Sequence, residues 1–153
     1  MITETNNDPV LDFLSSAIEA KLEIIRHRMR AEELESRCTK VTASMSGMPG
    51  GGNSDAQLLW STLADERDKE RAAEKRETEV YRSVENFISE IPNQTYRAIL
   101  KLRYLNGLEW VNVQMKMYEA GIFYSERHIY RLHDCAIEAA RELWRMKEEQ
   151  NGV

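Results

Sequence analysis

Apolar residues recur at spacings of three and four along most of this chain, a period that predicts helices from end to end. Asp8-Pro9 opens the first, with Asp8 as the cap and Pro9 in the first turn, where its missing N–H is no loss. Leu11, Leu14, Ile18, Leu22, Ile25 and Met29 then form one apolar stripe, which continues less regularly through Leu34 and Cys38. At about 1.5 Å per residue such a helix reaches on the order of 45 Å, more than a compact core of this size covers alone, so it needs a companion. The segment from Thr42 to Asn53, which includes MPGGGN, predicts a flexible loop. Ser54 with Gln57 has capping-box spacing and restarts a helix carrying Leu58, Leu59, Leu63, Val80, Val84, Phe87, Ile88 and Ile91. Two long helices joined by a glycine-rich loop predict an antiparallel hairpin over residues 9–91.

A different grammar begins at Pro92, which stops the preceding helix. Asn93 is placed to cap the next one, in which Ala98, Ile99, Leu102 and Leu105 share a face flanked by Tyr96, Leu100 and Tyr104. Asn106-Gly107 closes it, since a left-handed residue commonly ends a helix. Trp110, Val113 and Met117 mark a second short helix that Gly121 ends, and Ser125 caps a third with Ile129, Leu132, Ala136 and Ile137 facing inward. The apolar face continues through Ala139, Ala140, Leu143 and Trp144, which extends this helix to about Lys147. Its outward side carries Glu126, Arg127, Tyr130, Arg131 and Asp134. Helix, glycine, helix, turn and a capped basic helix is the order of a helix-turn-helix DNA reader. Two arginines one turn apart near a helix start suit a major groove, where a guanidinium fork matches guanine O6 and N7.

The runs RAILKLRYLNGLEW and YSERHIYRLHDCAI resemble DNA-binding region four of bacterial sigma factors, in the form carried by small phage transcription regulators of the ArpU and RinA type. The MPGGGNSD loop between two long helices also occurs in those proteins, so the resemblance extends from about Leu22 to Leu143. It implies a C-terminal sigma-like helix-turn-helix, no catalysis, and regulation of phage late or packaging genes. By position, Leu102, Arg103, Tyr104, Gly107 and Trp110 match the family's first helix and turn. Ser125, Arg127, His128, Arg131 and His133 match the recognition helix. The connection Glu119-Ala120-Gly121-Ile122-Phe123-Tyr124 is longer than the family's usual turn.

The expected fold class is therefore all-α, a helical hairpin followed by a helix-turn-helix module over residues 93–149, with residues 1–8 a disordered tail. The expected DNA contacts are Ser125, Glu126, Arg127, His128, Tyr130 and Arg131, with Lys101, Arg103 and Lys116 near phosphates. Composition agrees: 42% hydrophobic and 31% charged residues with only 3 prolines describe a helical globular chain. A net charge of −5 argues against broad nucleic-acid coating but leaves room for a local basic face. The expected partners are double-stranded DNA, host RNA polymerase and further copies of this chain as a homodimer or higher oligomer.

Other chemistry finds little footing. The charged run DERDKERAAEKRETE, with pairs such as Asp65 with Lys69 and Asp68 with Arg71, reads as a solvated helix face; the alternative is a seam between protomers at Ala72 and Ala73. MPGGGNSD lacks the lysine and hydroxyl ending of a phosphate-binding loop. His27 lies between Arg26 and Arg28 on a basic face, and His133 is expected to pack beside Leu132 and Trp144 or to cap the core. Cys38 and Cys135 lack a partner motif and read as reduced, partly buried thiols. No catalytic set, metal, cofactor or small-molecule ligand is expected. No window approaches the roughly 18 apolar residues of a membrane span, and MITETNNDPV has neither region of a signal peptide, so the expected location is the cytoplasm of a bacterial host cell. Two other readings stay open: a small terminase-like DNA-packaging subunit, and a protein-interaction module built on a degenerate helix-turn-helix.

Overall fold

The structure, a computed structural model, describes residues 8–45 and 53–152. The protein is all-α, with five α-helices and no strand among the described residues. Helix α1 spans Pro9–Met45, α2 Asn53–Ser89 and α3 Gln94–Leu100, which runs on into a π-helical turn at Lys101–Leu105; α4 covers Trp110–Glu119 and α5 Glu126–Asn151. The tail at 1–7 and the centre of the loop, 46–52, lie outside the described residues. Thr42–Met45 and Asn53, assigned to the loop by composition, are helical instead. The Thr42 hydroxyl donates to the Cys38 carbonyl at 2.8 Å, so its polar group is satisfied within the helix.

Two compact units result, Glu19–Thr78 and the described residues of Met1–Ile18 with Glu79–Val153, so the division falls within α1 and α2 rather than at Pro92. In the larger unit the first turns of α1 and the last of α2 share a core with the C-terminal helices. Val10, Leu14, Ala17, Val84, Phe87, Ile88 and Ile91 are buried with Leu100, Tyr104, Leu105, Ala136, Ile137 and Ala140. Phe13, Phe87 and Trp144 meet with ring centroids 5.3 to 5.9 Å apart. A second cluster joins Ile99, Val113, Met117 and Ile129. The segment of α3 and its π turn is thus buried on two sides, which corrects the one-face expectation: Leu100 and Tyr104 are core, while Ala98 is exposed. The caps at Asp8 and Asn93 are as the sequence requires, whereas Ser54, expected to cap α2, lies within that helix. Asp8 Oδ1 accepts from the Val10 N–H at 3.0 Å, and Asn93 accepts from Thr95 and Tyr96 at 2.9 and 3.1 Å.

The unit Glu19–Thr78 is a short antiparallel pair with little apolar filling: Ala31, Leu34, Cys38 and Leu63 are its buried cluster, with Leu59 packed against it. Ala73 is buried as well, whereas Ala72 is exposed. Leu22, Ile25 and Met29, expected to face inward, are exposed, because the buried face of α1 here runs through Ala31, Leu34 and Cys38. The charged run of α2 is not a solvated face throughout. Glu66 and Glu70 are buried against α1, where His27 Nδ1 lies 3.1 Å from Glu66 and the Arg28 and Arg30 guanidinium groups reach Glu70 and Glu66 at 2.9 and 3.1 Å. Arg67 bridges Glu35 and Glu70, and Arg76 reaches Glu23 at 2.6 Å. These pairs join α1 to α2, and His27 belongs to them rather than to a basic face. Asp68 pairs with Arg71 as expected, but Lys69 turns to Glu66 and not to Asp65. Cys38 is buried and Cys135 exposed.

The His27 hydrogen bond holds the Glu66 carboxyl below the usual glutamate value, and the Arg28 hydrogen bond does the same for Glu70. With folded values below the unfolded one, their contribution to stability is complete above about pH 4.5 and is lost as the pH falls through the folded values. Thermal melts from pH 7 to pH 3 should therefore show an acid loss of stability that Glu66→Gln with Glu70→Gln makes shallower. Equal slopes in the two proteins would show that the seam does not set acid stability.

Candidate nucleic-acid interface

The C-terminal turn of the π segment and the end of α4 are both closed by glycine. Gly107 has φ of +66°, and Asn106 and Leu108 donate back to the carbonyls of Lys101 and Leu102. At α4, Gly121 has φ of +83°, its N–H bonds the Tyr118 carbonyl at 2.9 Å, and the Ile122 N–H bonds the Met117 carbonyl at 2.9 Å. That paired arrangement is the Schellman ending, which satisfies carbonyls the helix leaves open. Gln114 then donates its side-chain amide to the Tyr124 carbonyl at 3.1 Å, so α4 holds the longer connection that follows. Ser125 accepts from the His128 N–H at 3.1 Å and starts α5.

Burial fixes which way α5 turns. Ile129, Ala136, Ile137 and Ala140 are buried and Leu132 is half-buried, so Arg127 and Arg131 stand on the opposite face, exposed and one turn apart. Among the described residues neither makes an ion pair. The nearby acids are engaged elsewhere: Glu126 accepts from the Tyr130 hydroxyl at 3.0 Å, and Asp134 lies 3.8 Å from His133 Nδ1. His128 is exposed with its ring edge-on to Tyr124 at 4.6 Å, and Tyr130 sets its ring against Trp110 at 5.2 Å. The first turns of α5 thus bring together the six residues singled out by sequence.

The three residues expected near phosphates are placed differently from one another. Lys101 is half-buried on the π turn, and Lys116 lies 3.5 Å from Glu119. Arg103 is a structural strut: it donates to the Leu108 carbonyl at 2.9 Å and lies 4.7 Å over the Trp110 ring. Trp110 in turn abuts His133 at 4.7 Å, so one indole ties the π turn to α5. Neither this role nor that of Gln114 carries a local sequence signal, because both depend on which elements meet.

His133 caps the core at Tyr104 rather than packing beside Trp144. Trp144 packs on Phe13 and Phe87, while His133 stacks on Tyr104 and its Nε2 lies 2.8 Å from the Tyr104 hydroxyl. A neutral ring fits, with Nε2 accepting from the hydroxyl and Nδ1–H toward Asp134. Burial pushes its pKa below the ordinary histidine value and that of Tyr104 above the ordinary tyrosine value. No group of three or more His, Cys, Asp or Glu side chains that could hold a metal occurs among the described residues, and no helix there is long and apolar enough to cross a membrane.

No family model matches the chain, and no curated protein or solved structure matches it either.

Gly121→Ala should cost about 1 to 2 kcal/mol, since its Cβ would meet nothing within 4 Å and only the left-handed backbone resists it. Chemical denaturation measures this, and an unchanged midpoint would mean that the ending of α4 relaxes freely. A second outcome concerns pH. Because the folded His133 value lies below the unfolded one, its contribution is in place above about pH 6.5 and is lost as the pH falls through the lower folded value. His133 resonances followed by NMR should titrate below those of an unfolded reference, and a midpoint at or above that reference would contradict the buried neutral ring.

Proposed function

We propose that this chain is a sequence-specific DNA-binding regulator of transcription, of phage or prophage origin, in which α4, the turn and α5 act as a helix-turn-helix and the first turns of α5 enter the major groove. One observation carries the reading: Arg127 and Arg131 stand exposed, one turn apart, on the outward face of α5, without an ion pair among the described residues. In a chain whose other arginines are so often tied to carboxylates, as Arg28, Arg67, Arg76 and Arg141 are, two unengaged guanidinium forks on one helix face suit an external acceptor. Guanine O6 and N7 supply that geometry. Ser125 contributes through its cap and Tyr130 with Glu126 through their mutual hydrogen bond, which leaves His128 as the remaining exposed side chain able to reach a base or a phosphate. The resemblance to sigma region four in the ArpU and RinA type supports activation of late or packaging genes with host RNA polymerase as a partner.

A specific observation favours a second reading. Val111, Met115, Tyr118 and Phe123 are more than half exposed, and a hollow of about 340 Å³ is lined by Gln114, Met115, Tyr118, Glu119 and Tyr124. Such an apolar face on α4 suits a protein-interaction module. The two readings differ in what α5 touches.

Arg127→Ala and Arg131→Ala should each cost about 1 to 3 kcal/mol of discrimination at one operator position. Lys116→Ala should instead weaken binding to all duplexes alike and flatten its salt dependence. Leu132→Asp is the structural control, because a carboxylate forced into the inward face should unfold the module. Operators would be selected from random duplexes, and affinities compared with a scrambled duplex at two salt concentrations. Unchanged operator preference in the Arg127→Ala, Arg131→Ala double variant would move the assignment to the protein-interaction reading.

A further inference from the structure

We propose that the α1 face made by Leu22, Ile25 and Met29 binds a second copy of this chain, the two α1 helices packing antiparallel with Glu19 of each copy against Arg26 of the other. The three side chains are 58%, 48% and 64% exposed, and their spacing of three and four places them in one stripe. Leucine, isoleucine and methionine left together in water on one helix mark a surface that is covered by something. Within Glu19–Thr78 this stripe lies apart from the buried Ala31, Leu34 and Cys38, so the pairing of α1 with α2 does not use it.

The flanking charges select the occupant. Glu19 and Arg26 are seven residues apart, so they border the same side of the stripe two turns from one another. Both are exposed, and among the described residues neither makes an ion pair. With Leu22 set opposite Ile25 of the second copy, an antiparallel pair brings Glu19 beside Arg26 twice, once at each end of the two-fold contact. On the other border, Arg28 is neutralised by its own chain's Glu70 and Glu74 at 2.9 and 3.2 Å, which leaves the Glu19 and Arg26 border to decide direction. A surface whose charge pattern is complementary to itself under a two-fold rotation fits a copy of itself better than a chain of unrelated pattern. The stripe is two turns long and is followed by exposed Glu32 and Ser36, so the contact is small and the dimer reversible. This surface stands on α1 alone and does not depend on what α5 binds.

The experiment uses the full chain in sedimentation equilibrium over a wide concentration series, with circular dichroism to confirm that each variant keeps its helicity. Wild type should pass from monomer to dimer. Ile25→Glu should abolish the dimer, while Met115→Glu on α4 should leave it unchanged. Glu19→Arg and Arg26→Glu should each weaken dimerisation on the order of tenfold, because each turns two attractive pairs into two repulsive ones. The double swap Glu19→Arg with Arg26→Glu should restore it. A wild type that stays monomeric or assembles beyond a dimer, an Ile25→Glu variant that still dimerises, or a double swap no tighter than the single variants would each overturn the proposal.

Discussion

Burial of one face of α5 in two apolar clusters is the constraint on which the C-terminal unit depends. Ile129 sits with Ile99, Val113 and Met117, whereas Ala136, Ile137 and Ala140 sit with Leu14, Val84 and Ile88. Each large aliphatic side chain so buried contributes roughly 1.5 to 3 kcal/mol, and the alanines let neighbouring helices approach closely. With both ends of one face committed, α5 has no freedom to rotate. Arg127 and Arg131 point outward for that reason, and the candidate interface follows from the core rather than from any attraction between the arginines and their surroundings.

The unit Glu19–Thr78 is held by a different balance. Its apolar cluster is small, and its long seam is carried by carboxylates and cations on facing helices. Exposed ion pairs contribute little each, typically under about 1 kcal/mol, so their number is not a measure of stability. Their value here lies in register: Glu66 and Glu70 are buried, and sliding α2 along α1 would leave each carboxylate without its cations, a far larger penalty than the pairs' net gain. Charge thus fixes alignment where shape does little.

These two regimes also separate what each unit exposes. The C-terminal unit presents charged side chains from a rigid helix, with Arg103, Trp110 and Gln114 spent on holding the elements in place. The unit Glu19–Thr78 ties the charges of its seam to one another and leaves Leu22, Ile25 and Met29 in water. Surface chemistry in each case is what the internal packing did not consume.

Much was legible in the sequence because it is decided within a few residues. The caps at Asp8, Asn93 and Ser125, the glycine endings at Gly107 and Gly121, the all-helical class and the outward placement of Arg127 and Arg131 all follow from local hydrogen bonding, backbone sterics and a 3.6-residue period. On α1 the stripe expectation holds at Leu34 and Cys38 but fails at Leu22, Ile25 and Met29, which look like core until the neighbouring helix is known to sit on another side. The buried role of Glu66 and Glu70, the partnership of His133 with Tyr104 and the use of Arg103 as a strut were likewise invisible. Periodicity says that a helix has a face, and caps say where it starts. Only the tertiary structure decides which face is covered and which charges meet: the α1 cations that reach Glu66 and Glu70 lie 36 to 42 residues away in the chain, where no local pattern constrains them.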